Sequence, residues 1–158
     1  MLRRACVKVA AVIERDRIVK TFLELVAIDS PSGDEDAIAA ELERRLRTLG
    51  LEASQDAHGN VLGRRAGTGE AILLSAHMDT VEPGRGITPI FDGDDIIRTD
   101  GTTILGADNK AGCAVILEVI QSVIDDGAPT RPIEVAISRG EEIGLVGAVN
   151  MDLSLIHI

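Results

Sequence analysis

The feature that most constrains this chain is a pair of short apolar runs with a long apolar helix between them. Residues 71–76 (Ala71-Ile72-Leu73-Leu74-Ser75-Ala76) carry no charge, and residues 133–137 form a second apolar run, interrupted only by Glu134. Such runs suit strands covered on both faces in an α/β sheet. Between them, residues 110–124 are apolar nearly all round and stop at Gly127, which predicts a buried helix. Strand, buried helix and strand in that order predict a βαβ crossover. The expected fold class is α/β, a three-layer arrangement in which helices flank a mixed, mostly parallel sheet.

Upstream, residues 17–27 place Ile18, Val19, Phe22, Leu23, Leu25 and Val26 at amphipathic-helix spacing, and Ser30-Pro31-Ser32-Gly33 breaks that helix. Ser32 and Glu35 have the spacing of a capping box that would open a second helix. This helix buries Ile38, Leu42, Leu46 and Leu49, pairs Glu41 with Arg45 and Glu43 with Arg47, and ends at Gly50. Residues 51–54 and 60–64 read as short strands around a polar turn containing His58-Gly59.

Composition narrows the function classes. The 158 residues are 45% hydrophobic, enough for one core, but only 1% aromatic (Phe22 and Phe91), so no platform exists for stacking bases. A net charge of −10 repels phosphate backbones, and nucleic acid is not an expected partner. Cys6 and Cys113 match no disulfide or zinc-ribbon spacing, which points to a reducing, cytoplasmic setting. Residues 1–15 read as a ragged start, with Lys8 interrupting their apolar run, and are set apart from 16–158. No stretch has the length and apolarity of a membrane span.

In open α/β sheets, ligand-binding residues collect at the carboxyl ends of strands. Three groups of metal-type residues stand at such places. His77-Met78-Asp79 follows the first run. Two apart in extended backbone, His77 and Asp79 point to the same side, where the imidazole can bind a metal and the carboxylate can fix its tautomer. A satisfied polar pair at a strand end is the plainer alternative. Gly106-Ala107-Asp108-Asn109-Lys110 precedes the buried helix. Asp108 is suited to cap that helix, yet its two oxygens could instead bridge two cations, and Gly106 permits close backbone approach. Gly140-Glu141-Glu142-Ile143-Gly144 follows the second run. Adjacent carboxylates repel each other and a cation relieves the repulsion, so one can ligate while its neighbour takes a proton from water. A solvated acidic loop is the alternative. Taken singly, each group fits its plain reading; three in chain order on one sheet point to a shared cation site.

These segments carry a family resemblance. Ser75-Ala76-His77-Met78-Asp79-Thr80-Val81, the stretch 100–112 (Asp100-Gly101-Thr102-Thr103 through Gly106-Ala107-Asp108 to Gly112) and 140–148 resemble the three N-terminal motifs of the M20 metallopeptidases. The likeness is to the peptidase T (tripeptide aminopeptidase)-like branch, where Asp-Gly-Thr-Thr precedes Gly-Ala-Asp. Ile28-Asp29-Ser30-Pro31-Ser32-Gly33 resembles the family's opening, and the resemblance runs from about residue 16 to 156. It implies a zinc-exopeptidase-like fold and a hydrolase of peptide bonds that uses two divalent metal ions, zinc by default with cobalt or manganese as alternatives. It implies His77 as ligand of one metal, Asp79 as the acidic residue orienting it, and Asp108 as the carboxylate bridging both. Glu141 is implied as the general base and Glu142 as a ligand of the second metal. A short peptide is the implied substrate, and the full-length protein is implied to be a homodimer.

Family members carry two further ligands, an acidic residue and a His, after the Glu-Glu pair, together with an inserted domain for dimerisation and substrate contact. Here only residues 148–158 follow; Asp152 and His157 are of the right types but come too soon after the pair. The expectation is that 16–158 is the N-terminal part of a truncated catalytic domain that alone binds metal weakly and turns over little substrate. Arg139, beside the acidic pair, is expected to face solvent. Carboxypeptidase or N-acyl amino acid deacylase activity is the alternative within the same chemistry, and the Asp-Gly-Thr-Thr segment favours aminopeptidase. A non-catalytic metal-binding module is the rival from another class, which Glu141→Gln would leave functional. No dinucleotide or phosphate-loop glycine pattern and no Gly-x-Ser-x-Gly elbow appears.

Overall fold

The computed structural model describes residues 13–152; the N-terminal start, Cys6 and His157 lie outside the described residues. The chain opens with helix α1 (Arg15–Val26) and helix α2 (Asp36–Thr48). Strands β1 (Glu52–Gln55), β2 (Val61–Arg65) and β3 (Ile72–His77) follow, then a small hairpin of β4 (Ile90–Asp92) and β5 (Ile96–Arg98). Helix α3 (Ala107–Asp126), strand β6 (Ile133–Ser138) and a single turn, α4 (Val146–Val149), complete the described elements.

The main sheet has the order β1-β2-β6-β3. β3 and β6 pair in parallel with α3 between them in sequence, the crossover expected from the two apolar runs. The sheet is mixed, but the expected parallel majority is not found: β1–β2 and β2–β6 are both antiparallel. The tight turn after β1 can only return an antiparallel neighbour, and β2 then docks antiparallel on the distant β6. The β4–β5 hairpin had no counterpart in the sequence reading.

Side chains of alternate residues on one sheet face, Val61, Ile133, Val135, Ile137, Leu74 and Ala76, join one apolar cluster with Phe22, Leu25, Ile38, Leu42, Leu46, Cys113, Leu117 and Ile120 of the helices. Helices thus flank the mixed sheet, as expected. β6 is buried throughout, whereas β3, at the sheet's edge, leaves Ile72 exposed at its start and Ser75 exposed on the face away from the core cluster.

The helices are where the spacing predicts them. Glu41–Arg45 and Glu43–Arg47 pair at 2.6 Å, worth about 0.3–0.5 kcal/mol each for pairs on a helix surface. α3 ends at Gly127 in the left-handed conformation (φ 65°), which only glycine adopts without cost. The helix is not wholly apolar inside. Glu118 is buried, where Arg17 of α1 donates to both its oxygens at 2.6 and 2.8 Å and Ser122 donates at 3.0 Å. The capping box does not form: α2 begins after Glu35 with no side-chain cap. Ser32 and Glu35 are drawn away by stronger tertiary partners at the sheet end.

Candidate metal centre

The parallel pairing sets β3 and β6 level, with His77 opposite Ser138, so the segments leaving both strands emerge side by side. Met78 is fully buried and its N–H still bonds to Ser138 O at 2.9 Å, which extends the pleat one residue past β3. His77 and Asp79 therefore face one way, as predicted. His77 Nδ1 lies 3.2 Å from the Asp79 carbonyl oxygen and 3.3 Å from Asp79 Oδ1. A proton held there leaves the Nε2 lone pair for a cation. Nε2 lies 3.0 Å from Asp108 Oδ1 and 3.9 Å from Glu141 Oε2.

Asp79 does more than orient the imidazole. Its buried carboxylate accepts Ser32 Oγ–H at 2.7 Å and the backbone N–H groups of Glu141 and Glu142 at 3.0 Å each. Burial pushes its pKa up. The three hydrogen bonds and the neighbouring imidazole outweigh burial and hold the carboxyl below its ordinary value. Ser32 reaches this place because residues 30–32 run beside 78–80, with Thr80 N–H bonded to Ser30 O at 2.9 Å and Ser32 N–H to Thr80 O at 3.1 Å.

Asp108 is not the cap of α3. Gly106 occupies that position with φ 70°, and Asp108 and Asn109 have non-helical dihedrals. Asn109 Oδ1 takes a first-turn donor instead, the N–H of Gly112 at 3.1 Å. Asp108 is left with a side chain 85% exposed and turned toward His77. One ligand atom each from His77, Asp108 and Glu142 lies within 4.8 Å of the others, although the residues are far apart in sequence. An imidazole nitrogen with two carboxylates is a donor set suited to zinc and similar divalent ions, so the residues present fit such a group. Glu141 stands beside this trio with its side chain 36% exposed.

Some residues of this region were misjudged or missed. Arg139 does not face solvent; its guanidinium donates to Glu35 and Asp36, and the acidic charge on α2's start explains why. Asn60 and Lys110 drew no attention as site residues. Lys110 is fully buried and Nζ donates to Ile28 O at 2.6 Å, anchoring the segment that carries Ser32. Burial pushes its pKa down to about 8, against the attraction of Asp29. A lysine inside an apolar helix was the available signal. Burial likewise pushes the Cys113 thiol up to about 12, so it is inert packing. Asp152 is exposed and does not join the trio.

Comparison with known proteins relates the chain to peptidases. The profile of Peptidase family M28 matches residues 60–152. A tripeptidase from Staphylococcus aureus is 39% identical and superposes with a TM-score of 0.87, covering 91% of this chain and 41% of that one. The aminopeptidase PepT from Bacillus cereus is 40% identical with a TM-score of 0.86 over the same shares. Peptidase T of Vibrio cholerae is 31% identical over 87% of this chain and 45% of its own length. The chain thus spans less than half the length of these relatives. By its profile match the chain belongs to Peptidase family M28, and over this part of their length it is similar to peptidase T-like proteins of the kind that its three motifs resemble.

Proposed function

We propose that the chain supplies the first half of a two-metal peptidase site that removes the N-terminal residue from short peptides. In this reading His77 would hold one ion and Glu142 the other, Asp108 would serve both, and zinc would be the native metal. Bound there, divalent ions supply Lewis acidity toward the scissile carbonyl and toward water. Glu141 accepts the proton released as water attacks and delivers it to the leaving amine. Asp79 keeps the His77 proton on Nδ1 and, through two backbone N–H groups, fixes where both glutamates begin. The observation that carries the reading is the convergence of His77, Asp108 and Glu142 from three separate segments to within 4.8 Å. The named activities of the relatives, a tripeptidase and aminopeptidases, support the substrate class.

Cobalt titration of the chain, followed by its visible absorption, tests the site. Saturable binding that His77→Ala removes is expected; equal binding by both proteins ends the metal reading. For a full-length protein carrying this segment, cleavage of a tripeptide but not of its N-acetylated form is expected. Equal cleavage of both would refute the aminopeptidase direction.

A further inference from the structure

We infer that Glu35 is a positioning residue for the glutamate pair, clamping the loop that carries Glu141 and Glu142 from behind; this rests on the metal-site reading above. Glu35 is 1% exposed, and its carboxylate makes no contact with the trio. Oε1 accepts the N–H of Gly140 at 3.1 Å, and Oε2 accepts Arg139 Nη2–H at 2.6 Å. One buried carboxylate thus holds both the backbone and the side chain of the two residues immediately before Glu141. Asn60, fully buried, grips the same loop at its two ends. Its Oδ1 accepts Arg139 N–H at 3.2 Å and its Nδ2 donates to Gly147 O at 3.0 Å. Gly140 itself is left-handed (φ 59°), so the chain reverses sharply there and its direction depends on what holds it. Asp79 then takes the next two N–H groups, of Glu141 and Glu142. Four successive backbone N–H groups, 139 to 142, are thereby each bound to a side chain from another segment. That spends three polar side chains on one loop, which a merely solvated acidic turn does not need.

Loss of partners that orient metal ligands typically weakens metal binding by about 10–100-fold. Glu35→Ala and Glu35→Gln, measured by cobalt absorption and by amide hydrogen exchange of the metal-free 158-residue chain, test the clamp. Expected in Glu35→Ala are amide exchange at Gly140, Glu141 and Glu142 faster by at least about tenfold, cobalt affinity weaker by about tenfold and a shifted absorption band. Exchange within α3 should stay unchanged, which separates a local opening from general loss of stability. Glu35→Gln, which keeps one acceptor, should show the same changes at smaller size. Unchanged exchange at 140–142 would overturn the clamp. Faster exchange with unaltered cobalt affinity and band would overturn its positioning role. Absence of cobalt binding by the unmodified chain would instead overturn the metal site, while the exchange data would still decide whether Glu35 holds the loop.

Discussion

Glu118 in the helical layer and the acidic residues at the sheet end place negative charge in opposite settings. Glu118 is closed on itself: Arg17, Ser122 and the backbone N–H of Glu14 at 2.8 Å satisfy both oxygens. Its pKa falls to about 2, chiefly through the Arg17 hydrogen bond. At the sheet end Asp108, Glu141 and Glu142 converge on one imidazole, and no Arg or Lys side chain is ion-paired with them among the described residues. A carboxylate whose partners are complete serves the fold. Carboxylates that converge without a cationic side chain leave their charge available to a ligand, as the proposed metal reading requires.

The comparison can be broken by exchanging the expected outcomes. The largest effect should be at the open end: His77→Ala is expected to weaken cobalt binding by at least about 100-fold, beyond the range for outer partners. It should also abolish the rise in Tm that saturating metal confers by mass action, read by thermal melts with and without cobalt. Glu118→Ala should do the converse. It should lower stability by about 2 kcal/mol in urea unfolding, moderated because Arg17 can rehydrate, and leave cobalt affinity unchanged. A metal effect from Glu118→Ala would mean that the two regions are coupled.

A smaller loss is expected from Gly147→Ala. The new methyl would press on Asn60 Oδ1 and on Arg139 O, 2.5 Å away, and neither can move without disturbing the acidic loop. About 1–2 kcal/mol of destabilisation by urea unfolding is the expectation for such overpacking, with faster amide exchange confined to 139–147. The smallest effect concerns pH. The Glu118 pKa is depressed from 4.5 to about 2, so its stabilisation is complete above pH 4.5 and is lost as pH falls toward 2. Glu118→Gln should flatten stability across that window, leaving a residual slope from Glu41, which is also lowered to about 2. Unfolding curves at several pH values would show an unaltered slope if the Arg17 pairing were unimportant.

Much of this was legible in the sequence because the governing patterns are local. The βαβ crossover follows from two apolar runs around one apolar helix, and the convergence of the trio follows from two motifs at strand ends and one at the start of α3. What escaped depends on contacts between distant segments. Ser32 and Glu35 fit a capping box by spacing alone, but Asp79 in one case and Arg139 with Gly140 in the other hold them more firmly. Arg139 looked solvent-facing because its partners lie more than 100 residues upstream. Asp108 taken alone reads as a helix cap, and only the non-helical backbone at 108–109 frees it from capping. The antiparallel majority of the sheet came from β2 docking on β6, a pairing that no short-range pattern announces.

Met78 separates the two functional residues of its motif and is wholly enclosed by the interior. The motif is therefore keyed into the molecule like a tooth in a lock. A slip by one residue would drive an imidazole or a carboxylate into apolar surroundings and set the thioether among the buried polar groups that hold Asp79. Hydrophobic packing thus fixes the register of His77 and Asp79, while the loop that carries Glu142 depends on its own polar clamps.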